Sequence, residues 1–129
     1  MENKTFDEWL GGLDLGFWGN AMHKITPAQF FERRQNENVE LLDVRSLQEV
    51  EHLALPFALH IPVCELPERW QEVPTDRLVV TFCSSAVRAV VAWTYLQLHG
   101  LDNAYILDGG YAELTAELKP GKVHKRAKK

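Results

Sequence analysis

The chain has 129 residues and a mass of 14.8 kDa, so it fits one domain, because two separate hydrophobic cores of this size would each be marginally stable. Its hydrophobic residues (46%) and charged residues (25%) have ordinary globular proportions, which excludes a wholly disordered chain. The formal net charge of -4 argues against a protein that wraps nucleic acid, and no apolar run approaches the ~18 residues of a membrane span.

The two ends of the chain differ in composition from its middle. We divide the sequence into an N-terminal arm, a central domain and a basic tail: residues 1–24, 25–118 and 119–129. The arm predicts a short helix and then irregular chain, with Trp9, Phe17 and Trp18 as its anchors on the core. The tail holds six of the 14 Lys and Arg residues and no acid, so residues 1–118 carry eight Lys and Arg against 18 Asp and Glu, a net charge of -10. Such a basic end is typical of a solvated tail.

Strands and helices alternate along the central domain. Thr26 followed by Pro27 marks a helix start, as N-cap and first helical residue. Short apolar runs predict strands at 39–44, 58–61, 78–82 and 104–107. Helices are predicted from 27 to between 35 and 38, and at 46–51, 66–70, 86–98 and 111–118. This order predicts an α/β fold in three layers, with a central, mainly parallel sheet flanked by helices, and sites in such sheets lie beyond the carboxyl ends of the strands.

Cys83 is the residue at such a strand end with the most reactive chemistry. It follows the clearest strand and precedes the clearest helix. The first N–H groups of a helix lack partners within the helix, and the helix dipole is positive there, so both favour a thiolate over a thiol. A thiolate is the nucleophilic form of cysteine, and we therefore predict Cys83 as a catalytic nucleophile, which requires its side chain to be reachable from water.

The residues after Cys83 predict an anion-binding loop. Ser84, Ser85, Ala86 and Val87 are mostly small, so successive N–H groups can point inward around an anion. Arg88 follows, and its guanidinium can bind two oxygens of thiosulfate or phosphate at once. We predict all five as substrate-binding residues. The structural alternative is a buried core cysteine with an unrelated surface arginine.

Three segments, in this order, resemble the motifs of a single-domain rhodanese, a sulfurtransferase that forms a persulfide. They are residues 41–45, 78–88 and 107–111. They match the family's Asp-Val-Arg strand end, its Cys-x-Ser-Gly-x-Arg loop and its Gly-Gly-aromatic turn. The family often has Gly where Ala86 stands, and Ala resists a positive φ, so we expect a strained or reshaped loop if this position is left-handed. Residues 53–58 also lack the glycines and the His of the family's Gly-His-Ile-Pro-Gly-Ala stretch.

The resemblance implies a mechanism. The Cys83 thiolate attacks the outer sulfur of a donor such as thiosulfate, sulfite leaves, and the N–H groups of 84–88 stabilise the persulfide. A thiophilic acceptor then takes the sulfur, cyanide in assays and a thiol or protein thiol in cells. The resemblance implies no metal and no organic cofactor, and it implies that Asp43 and Arg45 support the loop structurally. Because residues 1–10 show no secretory signal, we expect a cytoplasmic protein. The net negative charge and the lack of a long apolar run lead us to expect no nucleic-acid partner and no membrane partner, and the oligomeric state stays open.

Two other functions remain as alternatives. A cysteine phosphatase or arsenate reductase of the related fold would share the nucleophile and the Arg, but phosphatases of that kind have Cys-x5-Arg, whereas Cys83 and Arg88 are separated by four residues. A rhodanese-like binding module without activity would typically lack the cysteine. Cys64, the second cysteine, could resolve the persulfide or form a disulfide, although its position is more typical of a packing residue. The five histidines show no metal-ligand spacing.

Overall fold

Five parallel strands form the centre of the molecule in a computed structural model that describes residues 4–127. The strands are β1 (Lys24–Ile25), β2 (Val39–Asp43), β3 (Ala58–His60), β4 (Leu78–Phe82) and β5 (Ala104–Leu107). The helices are α1 (Phe6–Gly11), α2 (Leu15–Asn20), α3 (Pro27–Arg34), α4 (Leu47–His52), α5 (Leu66–Arg69), α6 (Val87–Leu98), α7 (Tyr111–Ala116) and α8 (Pro120–Ala127). Short 3-10 turns span Val63–Glu65 and Trp70–Glu72.

The sheet has the strand order β1-β5-β4-β2-β3, and each neighbouring pair is parallel. β2 and β4 pair over their whole length, from Val39 opposite Leu78 to Asp43 opposite Phe82. Helices cover both faces, which explains why the central strands are largely apolar rather than alternating. The prediction of an α/β fold with a central parallel sheet and flanking helices is confirmed.

The core consists of two clusters of buried side chains, one on each face of the sheet. On one face, α6 packs Trp93 and Leu96 against the strands. On the other, α3 contributes Phe30 and Phe31, and α7 contributes Leu114. The sheet therefore holds α6, and with it the start of that helix after β4, in a fixed position.

Two helices begin with a capping box, and the first is at the N-cap that the sequence predicted. The Thr26 hydroxyl accepts a hydrogen bond from the Gln29 amide at 3.1 Å, and the Gln29 side chain accepts one from the Thr26 amide at 2.9 Å. Ser46 and Glu49 form the same reciprocal capping box at the start of α4. Each box gives partners to two backbone groups that a helix end otherwise leaves open.

The N-terminal arm is more regular than we predicted. Its second part is not irregular chain but α2, because Asp14 caps that helix and accepts a hydrogen bond from the Phe17 amide at 2.9 Å. The arm then continues into β1, a strand that the sequence analysis missed. Of the three predicted anchors Trp9 is buried, Phe17 is partly buried, and Trp18 is 53% exposed, so the prediction is wrong for Trp18.

The basic tail is helical where the structure describes it, and its residues 119–125 and 127 are exposed, as the prediction of a solvated segment requires. The Arg126 guanidinium of α8 donates to Glu117 Oε1 at 3.0 Å and lies 5.0 Å from the ring centre of Phe31. The Gln35 side chain donates to the Arg126 carbonyl at 2.8 Å. A partly buried ion pair and a cation–π contact thus hold this segment on α3. Within residues 4–127, no helix is long and apolar enough to cross a membrane.

The ends of both predicted segments, residues 1–3 and 128–129, lie outside the described residues. The division of the chain into an arm, a domain and a tail therefore stays a prediction.

Candidate active site

The carboxyl ends of neighbouring strands bring the predicted site residues together. β2 and β4 end level with each other, at Asp43 and Phe82, and β5 pairs with β4 on its other side. Three polar segments follow these strands: 43–45, 83–88 and 108–110. They share one edge of the sheet, where the sequence analysis expected a site.

Cys83 lies between β4 and α6. Its Sγ accepts a hydrogen bond from the Ala89 amide at 3.3 Å, and Ala89 is the third residue of α6, where N–H groups have no partner within the helix. This donor lies one residue beyond the predicted nest of 84–88. The sulfur therefore lies at the positive end of the helix dipole, with the Ala89 amide pointing at it.

The Cys83 side chain is also fully buried. Our expectation that water can reach it is wrong for this conformation. Burial excludes solvent from the sulfur, and it also closes the path of any substrate. A substrate can reach the sulfur only when the surrounding chain moves.

Ser84 and Ser85 form the loop above α6 and differ in their contacts. The Ser84 hydroxyl accepts a hydrogen bond from Arg88 Nη2 at 3.1 Å, and the Ser84 carbonyl accepts one from the Tyr111 amide at 3.2 Å. Ser85 is exposed, and Val87 is 68% exposed at the first position of α6. The loop is therefore fixed at Ser84 and open to solvent beyond it.

Arg88 binds a carboxylate of this chain. Its Nη1 and Nη2 donate to Glu49 Oε1 and Oε2 at 2.6 and 2.8 Å, which ties α4 to α6. These hydrogen bonds lower the pKa of Glu49 to about 2, so this side chain is ionised at neutral pH. The fork that we predicted to bind a donor oxyanion is thus engaged by Glu49 in this structure. The pairing joins side chains 39 residues apart, and sequence analysis missed it.

Asp43 and Arg45 form a fully buried ion pair next to the loop. Arg45 Nη2 and Nε donate to the two carboxylate oxygens of Asp43 at 2.6 and 2.8 Å. Arg45 Nη1 donates to the Tyr111 hydroxyl at 3.0 Å, and His60 Nε2 donates to the Arg45 carbonyl at 2.7 Å. The Asp43 carboxylate raises the pKa of Arg45. This network links β2, β3 and α7, which fits the support role that the resemblance implies; Tyr111 and His60 are members that we did not predict in that role.

The glycine turn after β5 packs directly under the cysteine loop. Gly110 has a negative φ of -120°, so a left-handed backbone is not the reason for Gly at this position, and the reason is steric. A Cβ at this position would lie 1.9 Å from the Ser84 carbonyl oxygen. The absence of a side chain here therefore sets how closely the two loops approach.

Ala86 has the left-handed backbone that the sequence analysis named as the condition for strain. It is the N-cap of α6, with φ 78° and ψ -16°, and it makes no side-chain cap hydrogen bond. A residue with a Cβ pays about 1–2 kcal/mol in this region. The loop is therefore strained at Ala86, where the family often has Gly.

We expect Ala86→Gly to raise the free energy of unfolding by about 0.5–1 kcal/mol, because the relief of strain exceeds the extra chain entropy that Gly loses on folding. Urea unfolding measures the change. Gly100→Ala is the matched control, since Gly100 has φ 81° and gains a Cβ in the same region, so it is expected to lose stability. A loss of stability in Ala86→Gly would contradict the assignment of strain.

Cys64 does not pack in the core as we predicted. It lies in the 3-10 turn after β3 and is exposed, because the neighbouring Leu66 supplies the buried side chain of this segment. Its thiol is thus the accessible one of the two. Within residues 4–127, no group of three or more His, Cys, Asp or Glu side chains is placed to hold a metal ion.

The chain is similar to known proteins over the region that builds this site. The sequence profile of the family described as Rhodanese-like domain matches residues 26–117. A sulfurtransferase of Allochromatium vinosum is 38% identical over 74 residues, which are 57% of this chain and 69% of that protein.

Solved structures show the same similarity. A rhodanese-related protein of Thermoplasma volcanium has 26% identity and a TM-score of 0.67, and the match covers 76% of this chain and 95% of that one. The human single-domain sulfurtransferase has 25% identity and a TM-score of 0.66, covering 74% and 96%.

Proposed function

Because the chain belongs to the family of rhodanese-like domains, we propose that it is a sulfurtransferase that carries sulfane sulfur as a persulfide on Cys83. The observation that carries this proposal is the position of the Cys83 sulfur at the start of α6, where it accepts a hydrogen bond from the Ala89 amide. Similarity to single-domain sulfurtransferases supports it. The donor is thiosulfate or a similar small anion, and the acceptor is cyanide in vitro and a thiol in the cytoplasm.

The proposed reaction has two displacement steps. The Cys83 thiolate attacks the outer sulfur of thiosulfate, a new S–S bond forms, and sulfite leaves with the electron pair of the old S–S bond. The terminal sulfur of the persulfide then goes to the acceptor. With cyanide the product is thiocyanate, and the Cys83 thiolate is regenerated. Neither step needs a redox partner, since the sulfur moves between nucleophiles.

The backbone supplies the stabilisation in this proposal. N–H groups at the start of α6 stabilise the negative charge of the Cys83 thiolate. They stabilise the persulfide in the same way when its terminal sulfur, which then carries the charge, lies near them. Because these donors belong to a helix held by the core, they need no reorganisation when the charge forms. The loop of Ser84 to Ala86 opens to admit the donor, since the sulfur is buried in the closed structure.

Arg88 and the buried pair position the loop in this proposal. Arg88 holds Ser84 from one side through its hydroxyl, and Glu49 holds Arg88. Asp43 and Arg45 hold Tyr111, whose amide holds the Ser84 carbonyl. While the loop is open, the positive charge of Arg88 attracts the anionic donor. The Arg88 guanidinium then releases the Glu49 carboxylate and binds an oxygen of the donor instead.

The phosphatase alternative is less well supported by the loop. Four residues separate Cys83 from Arg88, one fewer than in Cys-x5-Arg phosphatases, and the Arg88 fork is bound to Glu49. A binding module without activity would not need a cysteine at the helix start.

Sulfur transfer accounts for both features, the four-residue spacing between Cys83 and Arg88 and the presence of the cysteine.

Sulfur loading of the purified chain tests the proposed function. Incubation with thiosulfate is expected to add one sulfur atom per chain in the intact mass, and cyanide is expected to remove it as thiocyanate. Parallel incubations with p-nitrophenyl phosphate and with arsenate plus a thiol reductant are expected to give no turnover. Phosphate release or arsenate reduction without sulfur loading would establish the rival function, and no change in any arm would establish the binding module.

A further inference from the structure

The arm leaves an open pocket on the outer side of α6. The pocket has a volume of about 420 Å³, within the usual range of small-molecule sites. Aromatic rings and aliphatic side chains form most of its wall: Phe6, Trp9, Trp18, Trp93, Leu10 and Val90. None of the lining residues belongs to the loop 83–88, so this pocket is separate from the proposed sulfur site.

The packing of the arm explains why the pocket stays open. Trp9 packs edge-on against Trp93 at 5.4 Å between ring centres and is buried. Phe6 and Trp18, on the two helices of the arm, remain 55% and 53% exposed. Large apolar side chains that stand half exposed around a concavity are characteristic of binding sites. The arm is therefore anchored at Trp9 and leaves Phe6 and Trp18 exposed to contact a ligand.

The side of α6 that faces the pocket leaves an apolar side chain exposed. A helix that packs on one face of a sheet is normally polar on the side that faces solvent. In α6, Ala89, Ala92 and Leu96 are buried in the core, yet Val90, which lines the pocket, is 42% exposed.

Two polar residues of the pocket define the charge of its ligand. His23 is nine-tenths buried, and its Nδ1 has no hydrogen-bond partner. Burial and the nearby Lys24 lower the pKa of His23, so its imidazole is neutral. Lys24 is thus the one full charge among the described residues that line the pocket, and it is positive.

We propose that this pocket binds a small aromatic carboxylate, whose ring lies between Trp18 and Trp93 and whose carboxylate pairs with Lys24. The aromatic wall selects a planar ring, and Lys24 selects the anion over the neutral analogue. The same opening could instead receive an apolar segment of a second copy of this chain. The single positive charge beside a neutral His favours the small anion, and the test separates the two.

Isothermal titration with 2-naphthoate and with its neutral analogue 2-naphthalenemethanol tests the proposal. We expect 2-naphthoate to bind with one site per chain and more tightly than the alcohol. Lys24→Gln is expected to weaken 2-naphthoate binding about threefold to tenfold and to leave the alcohol unchanged. Trp18→Ala is expected to weaken both about tenfold or more. Lys125→Gln on α8 is the matched control and keeps wild-type binding.

Three outcomes would overturn the proposal. One is the absence of saturable binding to the folded wild-type chain. Another is equal affinity for the acid and the alcohol, which would remove the role of Lys24. The third is a dimer in sedimentation velocity that Trp18→Ala dissociates, which would show that a second copy occupies the pocket. Sulfur loading is measured on the same samples, so failure of this proposal is distinguishable from failure of the proposed function.

Discussion

Cys83→Ser is expected to abolish sulfur loading from thiosulfate, to below about one-thousandth of the wild-type rate. Serine is close in size and preserves the packing of this fully buried position. Its hydroxyl is not ionised near neutral pH and forms no persulfide. Intact mass after thiosulfate treatment measures the loading, and thiocyanate production measures turnover.

Cys64→Ser is the matched control for this prediction. Cys64 is the exposed cysteine, so a sulfur bound adventitiously would be expected there. We expect Cys64→Ser to load one sulfur as the wild type does. Loading that persists in Cys83→Ser and disappears in Cys64→Ser would move the nucleophile to Cys64.

Alkylation tests the burial of Cys83 in the same two variants. Iodoacetamide is expected to modify Cys83→Ser, which retains Cys64, much faster than Cys64→Ser, which retains Cys83, because only Cys64 is exposed in the structure. The slow rate reports how often the loop opens. Equal rates would show that the closed loop is a minor state in solution.

The central strands could be predicted from sequence because both faces of the sheet are covered. β4 and β5 have the predicted bounds, and β2 ends one residue earlier than predicted. A strand buried on both sides is a continuous apolar run, which is a strong signal even without alternation. β1 has only Lys24 and Ile25, too few residues for any pattern, and it exists because β5 offers it a free edge.

α2 and α8 have local helix signals in the sequence, but the composition of both segments favours irregular chain. Asp14 precedes α2 as its N-cap, but Gly16 within the helix favours a loop. Pro120 stands at the start of α8, a common position for Pro, but the run of Lys and Arg favours a solvated tail. What holds α8 is the contact of Arg126 with Glu117, and no local pattern records that pairing.

Sequence analysis could predict the part of the candidate site that follows from the positions of the strand ends. Parallel strands end at one edge, so the three polar segments had to meet there. The pairing of Glu49 with Arg88 joins side chains 39 residues apart, and the capping box of Glu49 with Ser46 is the only part of its role that spacing reveals. The burial of Cys83 depends on how closely the turn at Gly110 packs under the loop, which composition does not encode.

Gly110→Ala is expected to displace the cysteine loop and to reduce sulfur loading about 100-fold. The new Cβ would lie 1.9 Å from the Ser84 carbonyl oxygen and 3.1 Å from the Ser85 Cα. Because both are backbone atoms, no side-chain rotation relieves the clash, and either the loop or the turn must move. We also expect a loss of about 1–3 kcal/mol in the free energy of unfolding, as for other overpacked sites. Urea unfolding and intact mass after thiosulfate treatment measure the two effects.

Gly121→Ala is the control for this prediction, since a Cβ at Gly121 meets nothing within 4 Å and alanine favours the helix α8. It is expected to keep full loading and to lose no stability. Circular dichroism distinguishes a displaced loop from an unfolded chain in Gly110→Ala, because a folded variant that loads sulfur slowly has lost only the geometry around Cys83. A folded Gly110→Ala with wild-type loading would show that the contact between the turn and Ser84 does not position the nucleophile, and that the hydrogen bond from Ala89 suffices.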